Sequence, residues 1–166
     1  MRIGLLLLLA LACGPGPGPT IEVPVEVRLV GHDAQDLPVV LLAEIGGERW
    51  LPIWIGPAEA RSIQIGIEGV AVPRPNTHDL AQRVIHRLHG ELARVVITEL
   101  RDGTYYALLT LQRDGERLEI DARPSDSIAL ALRAGAPIFV REELLSDGGD
   151  LLEEGSDPAA DEPRAI

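Results

Sequence analysis

Lysine is absent from the chain, and all 15 of its basic residues are arginine. Cysteine occurs once, at Cys13, which excludes an internal disulfide and a zinc site built from cysteines. Aromatic residues make up only 3% of the sequence, so its core must be aliphatic. With 46% hydrophobic residues, the 166-residue chain has enough apolar side chains for one domain with tails.

The negative charge of the chain is concentrated at its C-terminal end. The sequence carries a formal charge of −11, but residues 142–166, with nine acids and one Arg, account for −8, and residues 1–141 for only −3. A near-neutral folded part argues against a basic nucleic-acid-binding domain on charge alone, although it allows a local arginine patch. Residues 147–166 are rich in Asp, Glu, Gly and Pro, and we expect an acidic disordered tail there.

The N-terminal residues are typical of an exported protein. Residues 3–11 form an apolar run that is too short to span a bilayer, which needs about 20 residues. Cys13 follows small residues as in a bacterial lipobox, and residues 14–19 repeat Gly-Pro, which suits a tether. We expect a signal peptide at residues 1–12, lipidation of Cys13, a tether at residues 13–20, and anchoring to a membrane of the bacterial cell envelope. The alternatives are an ordinary signal peptide with an incidental Cys, or a buried strand.

Hydrophobic periodicity and turn residues predict an α+β fold with three helices and a mainly antiparallel sheet. Asp102-Gly103 and Asp114-Gly115 are predicted to close two-residue hairpins. The predicted strands are residues 21–30, 39–45, 49–55, 93–100, 105–112, 117–121 and 137–140.

Helix boundaries are predicted from proline, glycine and capping residues. The first helix begins at Gly56-Pro57 and ends at Gly69. The second covers residues 78–89, with Thr77 as its cap. The third begins at Ser125, also as a cap, and ends at Gly135.

A weak internal repeat relates the two halves of the chain. Gly47-Glu48-Arg49 and Gly115-Glu116-Arg117 each follow one strand and open another, and each is followed by a proline-containing turn and a helix. We interpret the pattern as an internal duplication of a βββα unit. The duplication would pair Glu59 with Asp126 about a pseudo-twofold axis.

A polar corner is predicted where the sixth strand leads into the third helix. Pro124 ends the strand because it has no N–H to donate. Asp126 falls in the first turn of the helix, where the helix dipole favours an acid. The corner, held on rigid elements at the edge of the core, consists of Asp121, Arg123, Ser125 and Asp126.

Four motifs, in order along the chain, resemble the bifunctional nuclease domain family. They are Pro38-Val39-Val40-Leu41-Leu42, Leu51-Pro52-Ile53-Trp54-Ile55-Gly56 with Glu59-Ala60, Arg74-Pro75-Asn76-Thr77-His78-Asp79-Leu80, and Asp121-Ala122-Arg123-Pro124-Ser125-Asp126-Ser127-Ile128-Ala129-Leu130-Ala131. The resemblance extends from about Val25 to Val140, and we assign residues 21–146 to this domain. It implies an α+β fold and nuclease activity on both RNA and DNA, with nucleic acid as the partner.

Hydrolysis of a phosphodiester requires a group that activates water, positive charge for the transition state, and help for the leaving oxygen. A divalent metal, Mg²⁺ or Mn²⁺, held by Asp121 and Asp126 would supply much of this chemistry. The candidates for acid–base catalysis or metal binding are His78, Glu59, Asp79, Asp121 and Asp126. The candidates for binding the substrate phosphate are Arg74, Arg123 and Ser125.

The same acids and caps also have structural interpretations. Acids are common in the first turn of a helix because of the dipole, where Glu59, Asp79 and Asp126 all fall. Asp121 and Arg123 are close enough in sequence to pair with each other at the strand end.

Histidine and tryptophan offer two further interpretations. His78, His86 and His89 lie on one flank of the second helix, either as metal ligands or as solvated residues. Trp50 and Trp54 share one face of a strand, where they would either stack bases or pack in the core or an interface.

Two functions fit the sequence. The first is a membrane-tethered nuclease, metal-assisted and acting outside the cytoplasm. The second is a non-catalytic lipoprotein that uses the same domain as a binding or assembly module. The complete set of motifs favours the nuclease, whereas the near-neutral core and the lack of lysine favour the binding module. A homo-oligomer is compatible with both.

Overall fold

The computed structural model describes residues 20–70 and 72–147. The predicted signal peptide, Cys13 and all but the last residue of the predicted tether lie outside the described residues, as does the predicted tail beyond Asp147. Within the described part, no helix has both the length and the apolar character needed to cross a membrane.

The described residues form an α+β domain, as predicted from the sequence. Their eight strands are β1 (Glu22–His32), β2 (Pro38–Glu44), β3 (Arg49–Trp54), β4 (Glu91–Arg101), β5 (Thr104–Arg113), β6 (Glu116–Ala122), β7 (Ile138–Arg141) and β8 (Ser146–Asp147). Their α-helices are α1 (Pro57–Glu68), α2 (Thr77–Arg87) and α3 (Pro124–Ala134). The seven predicted strands are confirmed, and β8 is too short for its alternation to be recognised in the sequence.

The strands form one sheet with the order β6-β5-β4-β7-β1-β2-β3-β8. Neighbouring strands are antiparallel except for the parallel pair of β4 and β7. Strand β7 therefore lies between two meanders, β1–β2–β3 and β4–β5–β6. The order is compatible with a duplicated βββα unit, but the duplication itself stays a prediction.

Two Asp-Gly turns close the hairpins of the second meander. Asp102 and Gly103 have φ angles of 52° and 73°, and Asp114 and Gly115 have φ angles of 52° and 82°. Positive φ at both central residues is the geometry of a type I′ turn, whose twist matches that of the strands. Both predicted hairpins are confirmed.

One aliphatic core lies between the sheet and the helices α1 and α3. Fully buried side chains from three elements meet there, including Ile97 of β4, Ile63 of α1 and Ile128 of α3. Gly66 marks a close approach of α1 and α3, because a Cβ at this position would lie 3.1 Å from Leu132 Cβ. Helix α2 contributes no fully buried residue and packs against α3 and β4.

The predicted cap of α3 is wrong. Arg123 is the N-cap residue, Pro124 occupies the first turn, and Ser125 lies inside the helix with an exposure of 7%. The physical reason is that the fixed φ of proline suits the first helical position, which moves the helix start forward of the serine.

The predicted cap of α2 is also wrong. Asn76 caps the helix, because its side chain accepts from the Asp79 N–H while the Asp79 carboxylate accepts from the Asn76 N–H. This reciprocal arrangement is a capping box, and it leaves Thr77 as the first helical residue. The helix ends at Arg87, two residues before the predicted end, and His89 has a left-handed φ of 60°.

Candidate active site

Polar side chains from three helices meet around a cavity of about 350 Å³. Helix α1 contributes Glu59 and Ser62, α2 contributes His78, and the junction of β6 with α3 contributes Arg123 and Asp126. They meet because α1 packs against α3 and the N-terminal end of α2 lies beside both. We refer to these five residues as the His78 cluster.

His78 is held at both nitrogens of its ring. Nδ1 lies 2.8 Å from Ser62 Oγ, and Nε2 lies 3.0 Å from Asp126 Oδ1. Ser62 is 5% exposed, whereas the side chain of Asp126 is 30% exposed. His78 therefore connects the buried end of the cluster to the end that faces solvent.

The partners of Ser62 determine which nitrogen of His78 carries the proton. Ser62 Oγ accepts hydrogen bonds from Arg133 Nη2 at 3.1 Å and from Asn76 Nδ2 at 3.2 Å. The orientation of the Asn76 amide is fixed, because its Oδ1 accepts from the Asp79 N–H. With both lone pairs of Ser62 used, its hydroxyl donates to Nδ1 of His78. His78 is therefore the Nε2–H tautomer, with its proton on the solvent-facing side.

Arg123 lies at the mouth of the cavity and joins two carboxylates. Its side chain is 65% exposed. Nε donates to Asp126 Oδ2 at 2.8 Å, and Nη2 donates to Asp126 Oδ1 at 2.9 Å and to Glu59 Oε1 at 3.0 Å. The two acids that the sequence repeat relates to each other thus share one guanidinium group.

The charges of the cluster are set by these contacts. Burial acts to raise the pKa of Asp126, but hydrogen bonds from Arg123 and His78 and the charge of Arg123 outweigh burial and hold that pKa below its ordinary value of 3.8. The hydrogen bond to Asp126, supported by Glu59, raises the pKa of Arg123. At neutral pH the mouth of the cavity therefore holds an ionised carboxylate against a permanently charged guanidinium.

A second ion pair, between Arg133 and Asp79, supports the His78 cluster on its buried side. Arg133, whose side chain is 7% exposed, donates from Nε to Asp79 Oδ1 at 2.6 Å. Burial acts to raise the pKa of Asp79, but the Arg133 guanidinium and the Asn76 N–H bring it below 3.8. Because Arg133 also donates to Ser62, this pair fixes the serine that orients His78.

The structure brings together four of the residues predicted from the sequence, namely Glu59, His78, Arg123 and Asp126. The other predicted residues lie elsewhere. Asp79 lies outside the cluster, in its ion pair with Arg133. Ser125 is buried and lines a neighbouring cavity. Arg74 is exposed and lines neither cavity, and among residues 20–70 and 72–147 it has no ion-pair partner.

Asp121 lies apart from the His78 cluster. It is on β6, opposite Leu108 of β5, and it lines a different cavity with Arg101, Tyr106 and Arg141. The reason is the alternation of the strand, because Ala122 packs against the core and the preceding side chain must point the other way.

The predicted metal ligands Asp121 and Asp126 are therefore not brought into one site. Arg123 forms its ion pairs with Asp126 and Glu59, and not with Asp121. In the part of the chain that the structure describes, no group of three or more His, Cys, Asp or Glu side chains is arranged to hold a metal ion. Metal binding stays a prediction that this geometry does not test.

Three residues of the network were not recognised in the sequence: Ser62, Asn76 and Arg133. A signal existed for two of them. Asn76 stands three residues before Asp79, which is the spacing of a capping box. Arg133 is a charged residue in an otherwise apolar helix, and a buried charge requires a partner. Ser62 had no such signal, because serine on a helix is common and its role depends on contacts with other helices.

The remaining histidines and the tryptophans lie outside the cluster. His86 and His89 line a separate cavity of about 490 Å³ at the end of α2, so they are not grouped with His78. Trp50 is half-buried on β3. Trp54 is exposed, and its Nε1 donates to Asp33 Oδ2 at 2.7 Å.

Fold and site together define an α+β domain with a histidine-centred polar cluster between three helices. The bifunctional nuclease domain family matches residues 40–151, a range that includes the whole His78 cluster. This chain belongs to the bifunctional nuclease domain family.

Relatives of this chain fall into two groups. Uncharacterized protein Rv1829 of Mycobacterium tuberculosis (strain ATCC 25618 / H37Rv) is 46% identical over 138 residues, which are 81% of this chain and 82% of the relative. Bifunctional nuclease 2 of Oryza sativa subsp. japonica is 31% identical over 73% of this chain and 38% of its own length. Bifunctional nuclease 1 of Arabidopsis thaliana is 31% identical over 70% of this chain and 37% of its own length. The match thus spans less than half of these plant proteins.

Proposed function

We propose that this chain is a nuclease that hydrolyses phosphodiester bonds of RNA, DNA or both at the His78 cluster. The observation that carries the proposal is an imidazole fixed between the hydroxyl of Ser62 and the carboxylate of Asp126, beside an exposed arginine. Membership of the bifunctional nuclease domain family and the names of the plant relatives, bifunctional nucleases, support the same chemistry.

Arg123 is the group that binds the substrate phosphate in this proposal. Its planar guanidinium matches the geometry of phosphate oxygens, and its exposure places it within reach of a large substrate. It is already positioned by Asp126 and Glu59, so less conformational freedom is lost when the phosphate binds.

Asp126 accepts a proton from the attacking water as the new P–O bond forms, and returns a proton to the leaving oxygen as the scissile P–O bond breaks. In the free protein, Arg123 contributes to lowering the pKa of Asp126. A bound phosphate accepts hydrogen bonds from Arg123 in place of Asp126, which weakens this contribution. The pKa of Asp126 then rises, so the carboxylate becomes a better base when substrate is bound. The Nε2–H of His78 donates to Asp126 in the free protein, and when substrate binds it donates instead to an oxygen of the reacting phosphate. Developing negative charge is thus met by one cation and one N–H donor.

Assistance by Mg²⁺ or Mn²⁺ is a separate part of the proposal. Asp126 is the member of the predicted ligand pair that lies in the cluster, and carboxylate oxygens are the ligands these ions prefer. Comparing cleavage in added Mg²⁺, added Mn²⁺ and EDTA tests this part independently of the protein residues.

The decisive experiment measures cleavage of labelled RNA, single-stranded DNA and duplex DNA by the purified full chain and by His78→Ala. His86→Ala is the matched control, because His86 is exposed on the same helix and lies outside the cluster. We expect His78→Ala to lose cleavage and His86→Ala to retain it. Equal cleavage by all three proteins contradicts the proposed site. Binding without cleavage by the unmodified protein would establish the alternative, a non-catalytic binding or assembly module.

We also propose that the nuclease is exported and tethered to a membrane of the cell envelope through lipidated Cys13. The support is the sequence pattern of residues 1–19 alone. The intact mass and N-terminal sequence of protein from bacterial membranes test it: lipidated Cys13 as the first residue supports the tether, and an intact Met1 contradicts it. Light scattering on the same preparation measures the predicted homo-oligomer.

A further inference from the structure

A second cavity adjoins the cavity of the His78 cluster and shares Arg123 with it. Its volume is about 290 Å³, and it lies between the end of β3, the β4–β5 turn and the start of α3. Arg123 lines both cavities. The cavity is also lined by Ile53, Trp54, Ile55, Tyr105, Pro124 and Ser125.

The two cavities differ in chemical character. The cavity of the His78 cluster is surrounded by charged and hydrogen-bonding groups. The second cavity is lined by the aliphatic side chains of Ile53 and Ile55, a proline ring and the rings of Trp54 and Tyr105, with Thr104, Ser125 and Arg123 as its polar side chains. Tyr105 is half-buried and packs against the hydrophobic core, so its position is fixed by the fold. Aromatic rings and aliphatic side chains beside an arginine suit a flat, weakly polar group that is attached to an anion.

We propose that the second cavity binds the nucleobase of the nucleotide whose phosphate is held by Arg123. This inference rests on the proposed nuclease function and adds the location and chemistry of a base subsite. Stacking on an aromatic ring tolerates any base, because every base has a π-face, so little sequence preference is expected. A base paired in a duplex cannot enter the cavity, so the preferred substrate class is single-stranded or unpaired nucleic acid.

The first test measures binding of two single-stranded oligonucleotides of equal length by fluorescence anisotropy, one with normal bases and one abasic throughout. The variants are Tyr105→Leu and, as the matched control, Tyr106→Leu. Tyr106 is the neighbouring ring on the other face of β5, where Arg101 stacks on it at 4.2 Å. We expect Tyr105→Leu to weaken binding of the normal strand about fivefold or more, from the usual contribution of one stacked base. It should leave binding of the abasic strand unchanged, and Tyr106→Leu should change neither. Equal affinity for the two strands in the unmodified protein overturns the inference.

A second test needs no variant, so it stands even if Tyr105→Leu does not fold. Nucleoside monophosphates and ribose 5-phosphate are compared as inhibitors of cleavage by the unmodified full chain. We expect the nucleotide to inhibit at a lower concentration, because only the nucleotide carries a base. Equal inhibition, with cleavage intact, contradicts the base subsite but leaves the proposed nuclease standing. Absence of cleavage of any substrate contradicts the nuclease itself.

Discussion

Asp121 and Asp126 are five residues apart in one motif, yet they line different cavities and differ in exposure. Asp121 is an exposed residue on β6, in a cavity on the side of the sheet away from the core. Asp126 lies in the first turn of α3 and accepts hydrogen bonds from Arg123 and His78. The difference arises from the change of element between them, because a strand alternates its side chains and a helix groups them on one face. A continuous polar motif can therefore serve two separate surfaces.

The largest expected difference between Asp126 and Asp121 is in catalysis. Asp126→Asn removes the proposed base and one partner of His78, so we expect the turnover number to fall by about 10²- to 10⁴-fold. Asp121→Asn should retain turnover, because its carboxylate does not reach the cluster. Both rates are measured with one labelled oligonucleotide under saturating conditions. Loss of turnover in Asp121→Asn alone would reverse the assignment of the two acids.

The second-largest effect is expected at Asp79, which supports the His78 cluster, and is measured as the free energy of unfolding. Asp79→Ala leaves Arg133 as a buried charge without its carboxylate and removes the capping box of α2. We expect the free energy of unfolding to fall by about 3 kcal/mol, the usual cost of breaking a buried ion pair. Urea unfolding checks this value, with Arg74→Ala as the control because Arg74 is exposed and outside the network. Similar losses in both variants would contradict the structural role of the pair.

The third effect is a dependence of stability on pH. The folded-state pKa values of Asp79 and Asp126 lie below 3.8, so both acids stabilise the fold above that pH. The stabilisation is lost as pH falls through the lowered values. Asp126→Asn should therefore lose less stability than the unmodified protein as the pH falls below about 4, measured by urea unfolding at a series of pH values. Asp79, Asp33 and Glu44 also have lowered pKa values and supply the acid sensitivity that this variant keeps.

The smallest effect is expected for the stability of Asp121→Asn at neutral pH. The residue is exposed, and its charge is a minor contribution to the raised pKa of Arg101. We expect the free energy of unfolding to change by no more than about 0.5 kcal/mol. A thermal melt compared with that of Asp126→Asn checks the contrast. A large loss in Asp121→Asn would identify a role for its cavity that the present contacts do not explain.

Local sequence patterns predicted the elements of this fold and four residues that meet in the cluster, but not the contacts within it. The hairpins at Asp102 and Asp114 follow from turn geometry, which depends on neighbouring residues only. His78, Glu59 and Asp126 were identified because their residue types suit hydrolysis. The role of Ser62 and the separation of Asp121 from Asp126 depend on how helices pack against the sheet. That packing brings together residues that are far apart in sequence, so the local periodicity of the sequence does not predict it.

The position of β7 also has a consequence for the order in which the chain assembles. Each meander is made of neighbouring strands and requires only local contacts, which form quickly. The meanders are joined by β7, which pairs with β1 on one side and with β4 on the other. During synthesis from the N-terminus, the sheet therefore cannot be completed until Ile138–Arg141 has left the ribosome. Until then, both meanders expose the inner edges that β7 later covers, and those edges need protection from pairing with other chains.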